Sequence, residues 1–530
     1  MLYRLSAAAG AICLLLGPAD ALDKTIAVSA PASAPSDASK PVDHAFASFS
    51  LPAHFFADFT GNRSHPNLFS RDILDLLHKK TGAHPYVRVG GTSTANADLT
   101  YTGAHSDRVV YNASQEQAVI LSAASENGIP AEVLVGPSWF EGFGNFPGSL
   151  WNFQANLGRN ASSALDNTIE VCGLVVAALR HRLIALEIGN EPDLYPGRAR
   201  PANYTVVDYV REWTRYANAI SRRVLRGNRY GLEEWRFFQG LVYANETLGT
   251  FSTQAAFDAG VDKTRHLKSV SLHQSYTAGN QEWVRLQDTF MNHTAVQRSL
   301  GVFRRDIDFL RNYDPSITFL LGETNSDYVN LNMAQVEGVF GSALWLIDYL
   351  LYGMTMNIAR FNLIQGVTFG YTGWVPVPYA GRDPYVRPPL YGQIVVADAI
   401  GRAPDVRVKE VDLKRWDVSA YAVYESRRLA KYVLVNLDEW NATTTHARPT
   451  QRLSLEVPRG VKGASVKRLT GDGASADEGI AWAGLSWNYT DGRLAESGRE
   501  RIETVKLRGG KLDLELKSSE AVLVTLHRQA

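Results

Sequence analysis

Two stretches of the sequence decide how the chain folds: LEIGNEPDLY (186–195) and FLLGETNSDY (319–328). In each, a short apolar run is followed within three residues by a glutamate, Glu191 in the first stretch and Glu323 in the second. A short apolar run of this kind is typical of a buried strand. Barrel enzymes carry their chemistry at the carboxyl ends of such strands, so both glutamates are expected on the same rim of a barrel.

The surrounding sequence alternates short β-rich runs with amphipathic stretches from residue 46 to residue 401, which predicts repeated βα units. Eight runs qualify as strands, the number in a (β/α)8 TIM barrel: 46–51, 86–89, 131–135, 183–188, 235–241, 270–273, 317–321 and 357–362. Helices are expected at 71–81, 114–127, 206–225, 299–312 and 333–352. This count puts Glu191 after the fourth strand and Glu323 after the seventh.

The pattern of apolar and turn-forming residues changes after residue 401. Short alternating runs separated by Gly- and Asp-bearing turns predict an antiparallel β-sandwich domain over 402–530. Residues 22–45 are rich in Ser, Pro and Ala and are expected to form an extended lead-in that can supply one strand of the sandwich. The predicted fold class is therefore α/β, with a catalytic barrel at 46–401.

The first 21 residues predict a signal peptide. Arg4 precedes an apolar stretch at 5–16, and small residues at Ala19 and Ala21 form a cleavage signal, so a secreted, extracellular protein is expected. No later stretch has the roughly 18 unbroken apolar residues of a membrane span. N-x-S/T acceptors for N-glycans occur at Asn62, Asn112, Asn160, Asn203, Asn245, Asn292, Asn441 and Asn488.

The charge balance and the motifs of the sequence limit the classes of ligand and partner that we expect the protein to bind. Basic and acidic residues balance at 54 each, so no overall field favours nucleic acid or an anionic membrane. The 12 histidines form no H-E-x-x-H or close Cys/His pattern, and no phosphate-binding loop appears, so neither a metal nor a cofactor is expected. We expect a monomer. Two carboxylates facing one substrate are the machinery of glycoside hydrolysis, which indicates a carbohydrate substrate.

A resemblance to a known family sharpens this interpretation. The segments VRVGGTST (87–94), LEIGNEPDLY, SLHQSY (271–276), LLGETNSDY (320–328) and QGVTFGYTGW (365–374) resemble glycoside hydrolase family 79, the clan A retaining hydrolases that include β-glucuronidases and heparanase. The likeness spans most of the chain. It implies that Glu191 is the acid/base and Glu323 the nucleophile. An ionised Glu323 would raise the pKa of Glu191 and keep it protonated.

The same resemblance implies further substrate-binding residues. Asn190, beside the acid, would hydrogen-bond the sugar 2-hydroxyl, an interaction that strengthens in the transition state. Tyr328 matches a family tyrosine near the sugar, and His273 and Tyr276 match substrate-facing positions after the sixth strand.

Glucuronate recognition also requires a receptor for the C5 carboxylate. The resemblance implies a tyrosine hydroxyl and a backbone N–H after the eighth strand, and Gly370 and Tyr371 fit that role. Glycine permits close backbone approach, and tyrosine supplies a donor without a full charge.

The expected function is that of an exo-acting retaining β-glucuronidase that releases glucuronic acid or its 4-O-methyl form. Three alternatives stay open at this point. One is a heparanase-like endo-β-glucuronidase, the second is a xylanase or arabinofuranosidase of the same clan, and the third is a non-catalytic glycan-binding protein on the same scaffold.

Overall fold

The computed structural model describes residues 25–91, 109–115, 117, 119–121, 133–244, 250–277, 283–327 and 336–528. The predicted signal peptide lies outside these residues. Within them, no helix combines the length and apolar character that crossing a bilayer requires.

A closed barrel of eight parallel strands forms the larger part of the molecule. In chain order the strands are β1 (Ala47–Pro52), β2 (Val87–Gly90), β3 (Trp151–Ala155), β4 (Leu183–Ile188), β5 (Phe238–Tyr243), β6 (Leu267–Thr277), β7 (Thr318–Asp327) and β8 (Phe361–Ile364). Each strand pairs with its sequence neighbour, and β8 closes on β1. The predicted TIM barrel is confirmed, with Glu191 after the fourth strand and Glu323 on the seventh.

The third barrel strand was assigned wrongly from the sequence. The apolar run 131–135 does contain a strand, Val133–Val135, but this strand joins Val109–Tyr111 and Val119–Leu121 in a separate three-stranded sheet. The barrel uses Trp151–Ala155 instead. Asn152 and Gln154 interrupt the apolar pattern there because they point into the barrel, where they bond Gln239 and Arg88.

Nine α-helices surround the barrel in the described residues. They are α1 (Phe56–Thr60), α2 (Leu68–Thr81), α3 (Ala164–Leu179), α4 (Val206–Ile220), α5 (Thr253–Asp258), α6 (His293–Gly301), α7 (Arg304–Tyr313), α8 (Phe340–Thr355) and α9 (Pro389–Ile400). Short 3-10 helices cover Pro137–Gly144, Arg180–Arg182 and Pro192–Leu194, and π-turns cover Ser221–Leu225 and Leu286–Phe290. The predicted helix at 114–127 is wrong at Val119–Leu121, which forms a strand because its apolar residues pair with Val133–Val135.

The C-terminal part consists of two sheets. A nine-stranded sheet contains Val406–Glu410, Val418–Glu425, Arg428–Asn436, Val461–Thr470, Ala481–Trp482, Leu485–Thr490, Arg493–Gly498, Glu503–Lys506 and Glu520–Arg528. A three-stranded sheet contains Ile26–Val28, Thr450–Glu456 and Lys511–Lys517, with Ile26–Val28 running parallel to its partner. The predicted antiparallel sandwich domain is present.

The nine-stranded sheet is buried on both faces. Because side chains alternate along a strand, Ala422 and Tyr424 pack with Leu453 of the small sheet. Tyr421 and Val423, which alternate with them along the strand, belong instead to the core of the barrel and its helices. The sheet therefore fixes the sandwich against the barrel.

A buried ionic cluster joins the two domains at this contact. His293, the first residue of α6, places Nδ1 3.0 Å from Asp348 on α8 and Nε2 2.9 Å from Glu410 of the nine-stranded sheet. The Tyr421 hydroxyl donates to Asp348 at 2.6 Å. Burial by itself lowers the pKa of His293, but the charges of Asp348 and Glu410 outweigh it and raise the pKa to about 10.

This cluster predicts a pH-dependent contribution to stability. Because the folded pKa of His293 lies above its unfolded value of about 6.5, the contribution is complete below pH ~6.5 and is lost as pH rises through about 10. We expect His293→Gln to lower the free energy of unfolding by about 3–5 kcal/mol at pH 6. Thermal unfolding between pH 6 and pH 10 measures it, and the difference from the unmodified protein should shrink as pH rises.

The matched control is His527→Gln. His527 is an exposed histidine of the C-terminal domain whose imidazole Nε2 lies 3.1 Å from Ser465 Oγ. It should leave the melting temperature within a degree or two at every pH. A difference for His293→Gln that stays constant over this range would show that the charge of the imidazole does not hold the domains together.

Candidate active site

Glu191 stands at the carboxyl mouth of the barrel, three residues beyond β4. Its backbone is left-handed, with φ 50° and ψ 51°, a conformation that non-glycine residues adopt rarely and that concentrates at functional sites. Its N–H donates to Val242 O at 2.8 Å, and Val242 also has a positive φ of 55°. The two adjacent strand ends therefore hold the Glu191 side chain in a fixed direction.

Glu323 lies on β7 at the same mouth, with 4 % of the residue exposed. The residue before it must be small, because a Cβ on Gly322 would collide with Ser271 Oγ on the neighbouring strand β6. The glycine of the G-E-T segment therefore lets β6 and β7 approach closely. This approach brings Glu323 beside His273, its register partner on β6.

Glu191, His273 and Glu323 converge. One ligand atom of each side chain lies within 4.8 Å of the corresponding atoms of the other two. The His273 Nδ1 is 2.9 Å from Glu191 Oε1, and all three residues are almost fully buried. Two acids far apart in sequence thus face each other across one small space, as the sequence predicted for a pair that shares a substrate.

Arg88 is the residue that the sequence interpretation missed. It lies on β2, is fully buried, and forms ion pairs with Glu323 Oε2 at 2.7 Å and Glu187 Oε1 at 2.6 Å. Its remaining donors bond Ser50 Oγ, Gln154 Oε1 and Asn190 Oδ1, each at 3.0 Å. The available signal was a single arginine between two apolar residues in V-R-V, because a charge inside a buried strand requires a partner.

Glu187 completes this network in the floor of the site. It is 0 % exposed and also accepts hydrogen bonds from Gln239 Nε2 and Ser271 Oγ, both at 3.0 Å. The N–H donors of Arg88 are bonded to polar groups on β1, β3, β4 and β7 and to Asn190 beyond β4. Its guanidinium therefore cannot turn away from Glu323. The network holds Glu323 in one orientation.

The protonation chemistry of the two acids differs because their neighbours differ. Burial raises the pKa of Glu323, His273 and the Arg88 charge oppose the rise, and Glu191 adds to it. Burial lowers the pKa of His273 to about 4, so its ring is neutral above that pH. A neutral ring leaves one hydrogen between Nδ1 and Glu191: either Nδ1–H donates to the ionised carboxylate, or the protonated carboxyl donates to Nδ1.

Asn190 lies beside the two glutamates, and only one of the two polar atoms of its side-chain amide has a hydrogen-bond partner among the described residues. Its Oδ1 accepts from Arg88, whereas its buried Nδ2 has no hydrogen-bond partner among the described residues. Gly91 packs against this amide so closely that a Cβ there would collide with it. A buried donor without a partner is rare in a folded protein, and it is available for a substrate oxygen.

Tyr276 does not join the cluster. Strand β6 continues to Thr277, so an offset of three residues places Tyr276 on the opposite face from His273. Its hydroxyl donates to Thr289 O at 2.8 Å, and its ring packs on Trp345 of α8. The expected substrate-facing position is therefore not where the structure puts this side chain.

The other predicted binding residues lie around β8 and β7. Tyr371 is buried, and its ring packs against Phe369 at 5.3 Å. Burial raises the pKa of Tyr371 well above 10, and the charges of Glu337, Asp327 and Glu323 add to the rise, so its hydroxyl remains a hydrogen-bond donor. Gly370 directly precedes it. Tyr328 lies outside the described residues.

The cluster of Glu191, His273 and Glu323 also has the donor types and spacing of a metal site. The buried Arg88 cation, 2.7 Å from Glu323, opposes a second cation at that place. Among the described residues, no other group of at least three histidine, cysteine or carboxylate side chains brings one ligand atom of each into mutual metal-binding range. The arrangement suits proton transfer and nucleophilic attack better than metal binding.

Comparison with known proteins agrees with this geometry. A family model described as the glycosyl hydrolase family 79 C-terminal beta domain matches residues 420–523. The chain is 33% identical over 525 residues to a β-glucuronidase from Aspergillus niger, with 93% of each chain covered. It is 28% identical over 541 residues to a β-glucuronidase from Neurospora crassa, with 92% of this chain and 94% of the relative covered.

Solved structures support the fold. A 4-O-α-L-rhamnosyl-β-D-glucuronidase from Fusarium oxysporum has a TM-score of 0.78 at 21% identity and covers 94% of this chain and 100% of its own. A family 51 α-L-arabinofuranosidase from Bifidobacterium longum has a TM-score of 0.60 at 13% identity, covering 96% and 100%. At such identities the likeness concerns the fold alone. The family model and the sequence relatives confirm the family resemblance: the chain belongs to glycoside hydrolase family 79 and is a glycoside hydrolase.

Proposed function

We infer that this enzyme is a secreted, retaining exo-β-glucuronidase that releases glucuronic acid or 4-O-methyl-glucuronic acid from the ends of glycans or glycosides. The observation that carries the inference is the approach of a Glu191 oxygen to within 4.8 Å of a Glu323 oxygen. Retaining glycosidases hold their carboxyl groups about 5–5.5 Å apart, and inverting enzymes about 6.5–9.5 Å apart. The names of both curated relatives support glucuronate as the sugar.

The neighbours of the two acids support their roles. Glu323 receives the Arg88 cation at 2.7 Å, which stabilises the ionised form that a nucleophile needs. Glu191 has the neutral His273 as its partner, which accommodates a protonated carboxyl as well as an ionised one. Glu323 is therefore the nucleophile and Glu191 the acid/base.

The reaction follows from these assignments in two displacements. Glu191 gives its proton to the glycosidic oxygen while Glu323 attacks the anomeric carbon, so the C–O bond to the leaving group breaks and a glycosyl ester forms. Glu191, now ionised, is available as a general base. It then takes a proton from water, whose oxygen displaces Glu323 and restores the original configuration.

Three further groups bind the sugar in this proposal. The buried Nδ2 of Asn190, which has no partner in the described residues, donates to the 2-hydroxyl, a contact expected to strengthen as positive charge develops on the ring. The Tyr371 hydroxyl and the Gly370 N–H receive the C5 carboxylate. The raised pKa of Tyr371 supports this role, because it keeps the hydroxyl protonated beside an anion.

Parallel hydrolysis of chromogenic β-glucuronide, β-xyloside, β-glucoside and β-galactoside tests the function. Only the glucuronide should be cleaved at a substantial rate, and proton NMR should show the β-anomer as the first product. Sizing the products from an acidic glycan should give free monosaccharide. Shortened oligosaccharides would replace exo with endo action, and binding without release would contradict the enzymatic proposal.

Export remains part of the proposal. Its support is the signal sequence at 1–21 together with the glycan acceptors. Five of these acceptors are exposed in the structure: Asn62, Asn112, Asn160, Asn203 and Asn488. An amino terminus at Leu22 in protein recovered from the culture medium would support it, and retention of the intact leader inside the cell would contradict it.

A further inference from the structure

A short hairpin follows the loop that carries Tyr371. Trp374–Val375 pairs antiparallel with Tyr385–Val386. The hairpin is anchored in the barrel, because the buried Trp374 packs on Phe49 at 5.0 Å and donates from Nε1 to Ser70 Oγ at 2.9 Å. Its tip is equally defined, since Tyr379 and Arg382 exchange two backbone hydrogen bonds of 3.0 Å. The hairpin is a rigid support beside the active-site loop.

Two guanidinium groups share one aromatic ring on this hairpin. Arg382 lies over the ring of Tyr385 at 4.3 Å, and Arg387 lies over it at 5.1 Å. Arg387 also donates from Nη2 to the Tyr385 hydroxyl at 2.7 Å. Such contacts orient the planar guanidinium groups without neutralising them.

Negative charge is scarce around this pair. Arg382 has one carboxylate partner, Glu478, at 3.3 Å, and both side chains are largely exposed, so the ion pair is weak. For the half-buried Arg387, no carboxylate of the described residues lies within 4.0 Å. Its buried Nε–H has no hydrogen-bond partner there either. A buried charged donor without an acceptor is costly unless a ligand supplies one.

The pair adjoins the loop that carries Tyr371. The Arg387 N–H donates to Gly373 O at 2.9 Å, two residues beyond Tyr371. The carboxyl of Glu337 lies near enough to Arg387 and Tyr371 to influence the pKa of each. Burial raises the pKa of Glu337 to about 10, and the neighbouring Asp327 adds to the rise. Glu337 therefore holds a proton at neutral pH and leaves the Arg387 charge uncompensated.

We propose that Arg387 and Arg382 form an anion subsite that binds a carboxylate of the substrate. A guanidinium presents two parallel N–H donors that match a carboxylate, and the unused Nε–H of Arg387 provides one of them. The carboxylate can belong to the sugar that is cleaved, bound by the inner Arg387, or to an adjoining acidic sugar, bound by the outer Arg382. The subsite rests on the proposed function and narrows its substrates to acidic glycans.

Calorimetric binding separates these sources. The Glu323→Ala variant, which should not turn over substrate, is titrated with a β-linked glucuronic acid disaccharide whose second sugar is neutral and with one whose second sugar is a uronic acid. Arg387→Met and Arg382→Met are introduced into this background. Loss of a charge-assisted hydrogen bond should weaken binding about 10- to 100-fold.

The pattern of losses identifies the carboxylate. Weaker binding of both disaccharides by Arg387→Met assigns the subsite to the cleaved sugar. Weaker binding of the diacid alone, by either variant, assigns it to the adjoining sugar. Affinities within twofold of the parent for both variants and both ligands, or no binding by the parent, would overturn the subsite. If Arg387→Met fails to fold, Arg387→Lys replaces it, because lysine keeps the charge and loses the planar fork.

Arg229→Met is the matched control. Arg229 lies over the Tyr230 ring at 5.1 Å and donates to its hydroxyl at 2.8 Å, as Arg387 does with Tyr385, but it lies on the connection that enters β5 at the opposite end of the barrel. It should leave both affinities unchanged. Turnover by the unmodified enzyme is measured separately. Binding that depends on Arg387 without any turnover would contradict the proposed hydrolase activity but support the subsite. Turnover with affinities that the arginine variants leave unaltered would support the hydrolase activity and contradict the subsite.

Discussion

Glu323→Ala is expected to lower kcat for a β-glucuronide by about 10⁴-fold or more, because it removes the nucleophile from a site whose other groups act together with it. The fold should persist, since Arg88 keeps its ion pair with Glu187 at 2.6 Å. Azide should restore turnover by entering the space left by the carboxylate. Because it attacks from the face opposite the leaving group, the product should be the α-glucuronosyl azide.

Glu191→Ala should show the complementary behaviour. Substrates with poor leaving groups should lose turnover by about 10³-fold or more, whereas those with activated leaving groups, which need no proton, should keep a fast first step. Azide should then attack the glycosyl ester of Glu323 and give the β-azide.

The two azide configurations make the assignment of roles decisive. Glu141→Ala is the control, because Glu141 is a surface glutamate 3.7 Å from Arg63 and should retain normal kinetics. An α-azide from Glu191→Ala together with a β-azide from Glu323→Ala would mean that the roles of nucleophile and acid/base are exchanged. Normal turnover in either variant would remove that residue from the mechanism.

The second large effect is expected for Arg88→Met. Removing this buried cation leaves the carboxylates of Glu187 and Glu323 without compensation, which should lower the free energy of unfolding by about 3–5 kcal/mol. Activity should fall by about 10²–10³-fold, because Glu323 loses both its orientation and the charge that favours its ionised form. Denaturant unfolding and steady-state kinetics measure the two effects.

The pH profile distinguishes positioning from folding. The Arg88 charge lowers the pKa of Glu323, so its removal should raise that pKa and move the acidic limb of kcat/KM to higher pH. A merely structural role would leave the limb in place.

A double variant, Arg88→Met with Glu187→Gln, separates the contributions further. It neutralises one of the two stranded carboxylates, so part of the lost stability should return. Activity should stay low, because Glu323 still lacks its cation. Recovery of full activity in this double variant would show that Arg88 serves the fold alone.

The strands that precede Glu191 and carry Glu323 were predictable from local pattern because most of their residues are apolar. Such runs are typical of buried parallel strands, although the run before Glu191 includes Glu187, which pairs with Arg88 inside the barrel. Strand β3 was not recognised by this criterion. Its Asn152 and Gln154 are polar because they point into the barrel and bond Gln239 and Arg88, a requirement set by residues 66 and 87 positions away in sequence.

The prediction for Tyr276 shows how strand length determines a side chain's face. The sequence ended the sixth strand at His273, which left the direction of later side chains open. In the structure β6 continues to Thr277, so His273 faces Glu191 and Tyr276 faces α8. No local feature of S-L-H-Q-S-Y fixes this end point, because it depends on pairing with β7.

The sequence alone determined the kinds of elements, their alternation, and the presence of two glutamates at strand ends, because these follow from hydrophobic patterning and local spacing. Only the tertiary structure decided that Glu191, His273 and Glu323 meet within 4.8 Å. It also decided that the Arg88 cation lies beside Glu323 and the neutral His273 beside Glu191. Distance, burial and the resulting pKa shifts depend on groups brought together by barrel closure, which lie up to 235 residues apart along the chain.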